Sequence, residues 1–243
     1  MTRTQPILPR RPAAVIFDMD GVLFDTERLY QEAAPLACTN LGYVIPPGVI
    51  DRTVGLSWPG TRALFVDTFG PAFPLDEFVA EWTRRFDELT ATQLRTKPGV
   101  HELIRTLDEL AIPRAIATGS YRNAVQHHLS MHALTDSFHA IVAHGDCAAG
   151  KPAPDPFLKA AELLGVEPTR CLAIEDSHNG VRSAAAAGIM TVMVPDLVAA
   201  TDEMRALCVH VAEDLREVAE LFWVEAAPAR ENVPEPYPLS LQA

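Results

Sequence analysis

The sequence predicts an α/β fold, a doubly wound parallel sheet into which an all-helical domain is inserted. Short apolar segments alternate with helical patterns along most of the chain, which is typical of parallel strands connected by helices. These segments are apolar at nearly every position, as expected for strands covered on both faces. After the first segment, a stretch of about seventy residues shows helical patterns only, which is too long for a simple crossover and indicates an inserted domain.

Five segments are predicted as strands of the sheet, and helical patterns follow them. The strand segments are residues 14–17, 113–117, 139–143, 171–174 and 190–194. The helical patterns include residues 124–131, 156–164 and 180–187. This order predicts that the strands are parallel and that helices cover the sheet.

The interrupting stretch carries three helical patterns and no convincing buried strand. They cover residues 28–41, 58–69 and 75–94. The predicted organisation is an α/β core of residues 13–27 and 97–224, a helical insertion of residues 28–96, and irregular tails of residues 1–12 and 226–243. Two linkers, one after Thr26 and one near residues 96–99, would join the helical insertion to the core.

Composition narrows the class of function. The 243 residues are 48% hydrophobic and carry a formal net charge of −12, which argues against a nucleic-acid groove because such a groove needs a basic surface. A local positive site on an acidic protein can still bind a small anionic substrate. No segment reads as a signal peptide or a membrane span, and the four cysteines form no CxxC pair. A cytoplasmic protein with reduced thiols is therefore expected.

Unusual polar residues follow the predicted strands. They are Asp18 and Asp20 after the first strand, Thr118, Gly119 and Ser120 after the second, Lys151 in a proline-stiffened loop, and Glu175 and Asp176 after the fourth. The carboxyl ends of parallel strands share one edge, where open α/β sheets bind ligands. We therefore expect these side chains to form one site.

The chemistry of this site follows from its charges. Four carboxylates repel one another strongly unless a cation lies among them. Hard oxygen ligands select Mg²⁺, which also pairs with substrate phosphate. Thr118, Lys151 and the amides of Gly119 and Ser120 would then contact phosphate oxygens.

The spacing of Asp18 and Asp20, followed by Gly21, also has a chemical use. In phosphoryl transfer through a covalent intermediate, one carboxylate attacks phosphorus. A second group protonates the leaving oxygen and later deprotonates water. Two carboxylates separated by one residue and bent apart by a glycine suit this division of roles.

Four motifs carry a resemblance to a known family. They are DMDGVLFDT (residues 18–26), TGS (118–120), KPAPD (151–155) and IEDSHNG (174–180). In identity and order they resemble the motifs of the haloacid dehalogenase superfamily, and the core that bears them spans most of residues 13–224. The helical insertion lies where that family has a helical cap, so the resemblance implies a Rossmann-like core with a cap.

The resemblance implies a role for each motif residue. Asp18 would be the nucleophile and a Mg²⁺ ligand, and Asp20 the general acid and base, with its backbone carbonyl on the metal. Thr118 and Lys151 would bind the transferring phosphoryl group. Asp176 would be a metal ligand, and Glu175 a direct or water-mediated one.

Departures from particular subgroups narrow the resemblance further. The dehalogenases and the phosphonate-cleaving members lack the second aspartate, so Asp20 indicates phosphate esters. Beta-phosphoglucomutases keep it but carry a histidine where Tyr30 stands and an arginine where Trp58 stands. Arg62, one turn later, could take over that charge. Both departures favour a phosphatase, and the DTERLY string (residues 25–30) resembles sugar- and nucleoside-phosphate phosphatases.

The resemblance thus implies a Mg²⁺-dependent hydrolase of small phosphomonoesters, acting through an aspartyl-phosphate. A sugar phosphomutase is the alternative, and a receiver-like module that only takes up phosphate ranks last. The helical insertion would contribute specificity through Gly55, Leu56, Ser57, Trp58 and Arg62. The expected partner is a small phosphorylated metabolite, with no nucleic acid, membrane or obligate protein partner.

Two weaker patterns suggest other binding sites, a P-loop and a zinc site. The segment GDCAAGKP (residues 145–152) approaches a phosphate-binding P-loop, but Pro152 replaces the required hydroxyl residue and removes an amide donor. His128 and His132 have the spacing of zinc ligands on a helix. Without a glutamate between them or a third ligand nearby, a surface or boundary helix is the favoured interpretation.

Overall fold

The fold is a six-stranded parallel sheet, described by a computed structural model for residues 8–54 and 58–223. The strands are β1 (Ala14–Phe17), β2 (Arg114–Ala117), β3 (Ala140–Val142), β4 (Cys171–Glu175), β5 (Met190–Met193) and β6 (His210–Val211). Their spatial order, β3-β2-β1-β4-β5-β6, is that of doubly wound nucleotide-binding sheets. The predicted fold class is confirmed.

Helices connect the strands and fill the stretch between β1 and β2. They are α1 (Thr26–Asn40), α2 (Trp58–Phe69), α3 (Leu75–Gln93), α4 (Val100–Glu109), α5 (Arg122–Met131), α6 (Asp155–Leu164), α7 (His178–Ala186), α8 (Asp202–Leu207) and α9 (Leu215–Glu220). The five predicted strands match β1 to β5 to within one residue at each end. β6 was not predicted, because it has only two residues and both are half-buried.

Strands β1, β2, β4 and β5 are buried along their whole length, which explains their continuous apolar character. Side chains alternate along β1. Val15 and Phe17 join an apolar cluster that also contains side chains of the helical insertion. Ala14 and Ile16 join a second cluster, under α6 and α7. Because one cluster runs from β1 into the helical insertion, the division into two domains stays a prediction.

Aromatic side chains hold the helical insertion together. Phe65 of α2 is 1% exposed, and its ring centroid lies 4.5 Å from that of Phe78 and 5.6 Å from that of Trp82, both on α3. Trp82 Nε1 donates a hydrogen bond of 2.9 Å to the Tyr30 carbonyl, which ties α3 to α1. These contacts make α1, α2 and α3 one packed unit.

The two linkers of the helical insertion run side by side. Phe24 and Thr96 form an isolated antiparallel bridge. The Lys97 amide donates to the Leu23 carbonyl at 2.9 Å. The chain therefore enters and leaves the helical insertion at adjacent points, next to the turn that follows β1.

The described part of the N-terminal tail contacts the core. Leu8 is 8% exposed and belongs to the main apolar cluster, and Arg10 donates a hydrogen bond to the Thr169 carbonyl. The other predicted tail, residues 226–243, lies outside the described residues. In residues 8–54 and 58–223, no helix has both the length and the apolar character that crossing a bilayer requires.

Candidate active site

The carboxyl ends of β1, β2 and β4 converge as the topology predicts. The Asp18 amide donates to the Ile174 carbonyl at 2.9 Å, and the Thr118 amide to the Val142 carbonyl at 3.0 Å. These bonds continue the strand ladders by one residue, so each motif begins from a rigid element. Asp18, Thr118 and Asp176 are all less than 8% exposed. The site is a buried edge of the sheet rather than an open loop.

Gly21 makes the turn after β1 possible for two reasons. Its φ is +78°, a left-handed conformation that glycine adopts at little cost. A Cβ at this position would also lie 2.3 Å from Asp176 Oδ2. The backbone can therefore pass directly against the Asp176 carboxylate, which brings the first and fourth motifs together.

Lys151 connects two of the carboxylates. Its Nζ lies 2.5 Å from Asp18 Oδ1 and 2.5 Å from Glu175 Oε1. The ammonium also lies 5.1 Å from the centroid of the Phe157 ring. The predicted meeting of Lys151 with the strand-end carboxylates is thus present in the structure.

The Glu175 carboxylate has a full set of donors. Besides Lys151, it accepts hydrogen bonds from the amides of Asp176 and Ser177 at 3.1 and 3.2 Å, and from Ser177 Oγ at 3.1 Å. The same Ser177 hydroxyl caps α7 by accepting from the Gly180 amide at 3.1 Å. Glu175 is 0% exposed, and these donors hold it in one orientation.

Three carboxylates form the group that could hold a metal ion. Oxygen atoms of Asp18, Glu175 and Asp176 all lie within 4.8 Å of one another. Burial, together with the charges of Glu175 and Asp20, raises the pKa of Asp18 to about 8 despite the opposing charge of Lys151. Burial and the neighbouring carboxylates also raise the pKa of Asp176 well above its usual value. The single positive charge of Lys151 therefore does not balance three carboxylates, and a bound cation would supply the remainder.

The Asp20 carboxylate has different hydrogen-bond partners from the Asp18 carboxylate. Its Oδ2 accepts a hydrogen bond from Ser120 Oγ at 2.7 Å and a longer one from Thr118 Oγ1 at 3.3 Å. Its carboxylate is not part of the three-carboxylate group. Only the backbone carbonyl of Asp20 was predicted to contact a metal, and that role stays a prediction.

The predicted phosphate-binding loop, residues 118–120, contacts the Asp20 carboxylate through two hydroxyl groups. The Ser120 amide donates to Thr118 Oγ1 at 3.0 Å, so this amide is engaged within the loop rather than free. A Cβ added at Gly119 would meet no atom within 4 Å, so there is open space beside this residue. The structure brings Thr118, Ser120 and Lys151 to the same edge, and their contact with phosphate stays a prediction.

Gly180→Ala should disable the site without changing any carboxylate. A Cβ at Gly180 would lie 1.9 Å from Glu175 Oε1, so the carboxylate would have to leave its donors and Lys151. We expect turnover of p-nitrophenyl phosphate to fall at least about tenfold and the melting temperature to drop, because a buried charge loses its partners.

The matched control for this variant is Gly150→Ala, where an added Cβ meets no atom within 4 Å. The control should keep both turnover and melting temperature close to those of the wild type. Equal losses in the two variants would contradict the explanation by contact with Glu175.

A cavity of about 370 Å³ lies between the helical insertion and the core. Glu27, Tyr30 and Gln31 of α1 and Trp82 of α3 line one side of it. Asp176 and the first turns of α7 line the other. The cavity reaches the three-carboxylate group at Asp176, so it provides space for the part of a substrate that lies beyond its phosphate.

The predicted specificity residues have varied outcomes. Gly55, Leu56 and Ser57 lie outside the described residues, and Trp58 begins α2. Arg62 forms a 2.8 Å ion pair with Asp76. Thr61, the residue before it, lines the cavity. The specificity roles stay predictions.

Sequence reasoning missed three charged residues beside the site. Glu27 lines the cavity and belongs to the DTERLY string, so its position in that string was the available signal. Lys97 Nζ pairs with Asp196 Oδ1 at 2.6 Å, joining the second linker to the loop after β5. Asp196 follows a predicted strand, as the motif residues do, but no motif marks it.

The two histidines of α5 pack against the first linker. The Phe24 ring centroid lies 5.7 Å from that of His128 and 5.3 Å from that of His132. His128 is 3% exposed, and the metal-compatible group found among the described residues does not include it. The buried His128 and half-buried His132 fit a helix at the boundary of the core rather than at its surface.

Comparisons with known proteins identify the family of this chain. The family model of haloacid dehalogenase-like hydrolases matches residues 12–188. A probable pseudouridine-5′-phosphatase of Drosophila melanogaster is 34% identical over 193 residues, which cover 77% of this chain and 83% of that protein. Hexitol phosphatase B of Escherichia coli K12 is 31% identical over 198 residues, covering 77% and 85%.

A solved structure shows the same architecture. The crystal structure of CbbY from Rhodobacter sphaeroides in complex with phosphate superposes with a TM-score of 0.72 at 26% identity. The match covers 85% of this chain and 96% of that one. Together with the family model, which spans all four motifs of the site, these matches show that the chain belongs to the haloacid dehalogenase-like hydrolase family.

Proposed function

We propose that this protein is a Mg²⁺-dependent phosphatase that hydrolyses small phosphomonoesters, sugar or nucleoside phosphates, through an aspartyl-phosphate intermediate. One observation carries the proposal. Two carboxylates separated by one residue have different surroundings: Asp18 contacts Lys151 among buried carboxylates, whereas Asp20 contacts only the hydroxyls of Thr118 and Ser120 among the side chains described. Paired carboxylates in different environments are suited to different roles in one reaction.

In the proposed reaction Asp18 attacks phosphorus, and the bond to the leaving alcohol breaks. Asp20 donates its proton to the leaving oxygen. Water then attacks phosphorus while Asp20 accepts a proton from it, and the bond between Asp18 and phosphorus breaks. Inorganic phosphate leaves, Asp18 is a carboxylate again and Asp20 is protonated again. Lys151 stabilises negative charge on the transferring phosphoryl group, and the Thr118 hydroxyl orients it.

Asp18, Glu175 and Asp176, with the Asp20 carbonyl, are the proposed holders of Mg²⁺. The donor set fits, because hard oxygen ligands are grouped around too little positive charge. When bound, Mg²⁺ supplies the charge that keeps Asp18 ionised and offsets the charge of the substrate phosphate.

The relatives support hydrolysis of small substrates. Their names describe phosphatases of a nucleotide and of hexitol phosphates. A sugar phosphomutase is the alternative within this family. The Tyr30 ring, at the position where the mutases have histidine, packs against Phe86 with centroids 4.4 Å apart. This packing supports a structural role for Tyr30 and so favours the phosphatase.

Phosphate release separates these functions. We expect p-nitrophenyl phosphate and a panel of phosphorylated sugars and nucleosides to give steady release of phosphate in the presence of Mg²⁺. β-Glucose 1-phosphate is the discriminating substrate, because a mutase converts it to glucose 6-phosphate without releasing phosphate. That product without free phosphate would overturn the proposal, and a single stoichiometric uptake of phosphate without turnover would indicate a receiver-like module.

The pH dependence of stability should reveal the raised pKa of Asp18. Its pKa of about 8 in the folded protein lies above the usual 3.8, so between these values the folded state binds more protons than the unfolded state. The free energy of unfolding of the metal-free protein should therefore fall as pH rises through this window. We expect Mg²⁺ to raise the melting temperature more at pH 8 than at pH 5, because the ion competes with protons.

Asp18→Asn is the control for this measurement, since other groups also titrate in the same window. The melting temperature of metal-free Asp18→Asn, minus that of the wild type, should rise with pH. A difference that stays constant from pH 5 to pH 8 would contradict the assignment to Asp18.

A further inference from the structure

We propose that Glu27 determines substrate specificity: its carboxylate selects leaving groups that are uncharged and carry hydroxyl groups, and rejects a second phosphate. The inference rests on the proposed phosphatase function. It concerns the cavity between the helical insertion and the core, which Glu27 lines.

The position of Glu27 places it beside the leaving group. Asp20 is the proposed proton donor to the leaving oxygen, so that oxygen must lie next to Asp20. Burial raises the pKa of Glu27 to about 7, with contributions from the nearby charges of Asp20 and Asp196. Glu27 and Asp176 line the same cavity, and carboxylate oxygens of Asp176 and of Asp18, the proposed nucleophile, lie within 4.8 Å of each other. The part of a substrate beyond its phosphate would therefore pass Glu27.

The Glu27 carboxylate can accept hydrogen bonds from a ligand. Within the described residues, its carboxylate accepts no hydrogen bond, although Lys97 is near enough to oppose the rise in its pKa. A partly buried carboxylate without donors gains most from a ligand that brings hydroxyl groups. Gln31, one turn further along α1, lines the same cavity and adds an amide.

The walls of the cavity also suit such a leaving group. Tyr30 and Trp82 line it, but Trp82 is only 5% exposed, so Tyr30, at 38%, offers the larger aromatic surface. Aromatic faces bind the carbon face of a sugar or a base, while the polar groups fix its orientation.

The charges of the cavity disfavour a second phosphate. Glu27 presents a carboxylate to it, whereas the carboxylate of Asp176, which also lines the cavity, is a proposed holder of Mg²⁺. Arg182, a cationic residue of the lining, is held by the Glu203 carboxylate through bonds of 2.7 and 2.6 Å. The Nε2 atom of His178 lies 2.9 Å from the Ala199 carbonyl. Among the described lining residues, a second phosphate would therefore meet the Glu27 carboxylate before any unpaired cation.

The test compares matched substrates in the presence of Mg²⁺ at pH 8, above the pKa of about 7 of Glu27, so that its carboxylate is charged. Glucose 6-phosphate and glucose 1,6-bisphosphate differ by one phosphate, and phenyl phosphate has no hydroxyl group. For the wild type we expect kcat/KM to be higher for the monophosphate than for the bisphosphate. Glu27→Ala should lower the ratio of kcat/KM for glucose 6-phosphate to that for phenyl phosphate about tenfold, because one hydrogen bond to a charged group is lost.

Glu27→Gln separates charge from hydrogen bonding. Its amide oxygen still accepts a hydrogen bond, so it should lose less of that ratio than Glu27→Ala. Both variants should raise kcat/KM for the bisphosphate relative to the monophosphate by about tenfold, since a repulsive charge is gone. Glu32→Gln is the control, because Glu32 lies on the same helix but pairs with Arg28 at the surface.

The outcomes distinguish the two proposals. If the wild type does not release phosphate from any of these substrates or from p-nitrophenyl phosphate, the phosphatase function itself fails. If it does, but Glu27→Ala keeps the wild-type ratios, the role of Glu27 is overturned. A wild type that prefers the bisphosphate would overturn it as well, whereas the expected shifts in both ratios, absent in Glu32→Gln, would support it.

Discussion

Replacing Asp18 with Asn should abolish turnover and leave the fold intact. An amide cannot attack phosphorus, and loss of a nucleophile lowers kcat by factors on the order of 10⁴ to 10⁶. The fold should tolerate the change, because burial and the neighbouring carboxylates already raise the pKa of Asp18 to about 8. Removing that charge relieves repulsion, and Lys151 keeps its partner Glu175.

The measurement is steady-state release of p-nitrophenol with saturating Mg²⁺, together with thermal unfolding of each variant. Asp25→Asn is the matched control, because Asp25 lies seven positions further along the same motif but pairs with Arg28, which is partly exposed, at 3.0 Å. Exposed ion pairs contribute little, so this variant should retain most of its turnover. Substantial turnover by Asp18→Asn, once contaminating phosphatase is excluded, would refute the nucleophile assignment.

Much of this site follows from topology, which explains why the sequence predicted it. Parallel strands end at one edge, so residues that directly follow β1, β2 and β4 must meet there. Asp18, Thr118 and Glu175 are each the last residue of a strand or the first after it. To predict that these residues meet, it was therefore enough to recognise the strand segments. The uniform apolar character of those segments made this possible.

Other features depend on geometry that no local pattern encodes. β6 has two half-buried residues and no apolar run, so its pairing with β5 comes from the return of the chain after α8. The pairing of Lys97 with Asp196 joins residues 99 positions apart. Glu27 belongs to a motif string, yet only the packing of α1 against α3 shows that it faces a cavity.

The direction of the Asp20 side chain is a further feature of this kind, and it leads to the second large effect. Asp20→Asn should lower kcat strongly, by factors of about 10² to 10⁴, because general acid–base catalysis is lost. The contacts of Asp20 with Ser120 and Thr118 place its carboxylate apart from the group that could hold a metal. Mg²⁺ binding, measured by calorimetry, should therefore change little.

The leaving group provides the decisive comparison. p-Nitrophenolate leaves readily without protonation, whereas a sugar alkoxide does not, so loss of the acid should slow a sugar phosphate far more than p-nitrophenyl phosphate. Ser120→Ala, which removes the 2.7 Å hydrogen bond but keeps the acid, is the control and should slow both substrates similarly. Equal losses for the two substrates in Asp20→Asn would contradict general-acid catalysis. Such a result would also remove the chemical reason for two carboxylates at the end of β1, since repulsion between them would then bring no advantage.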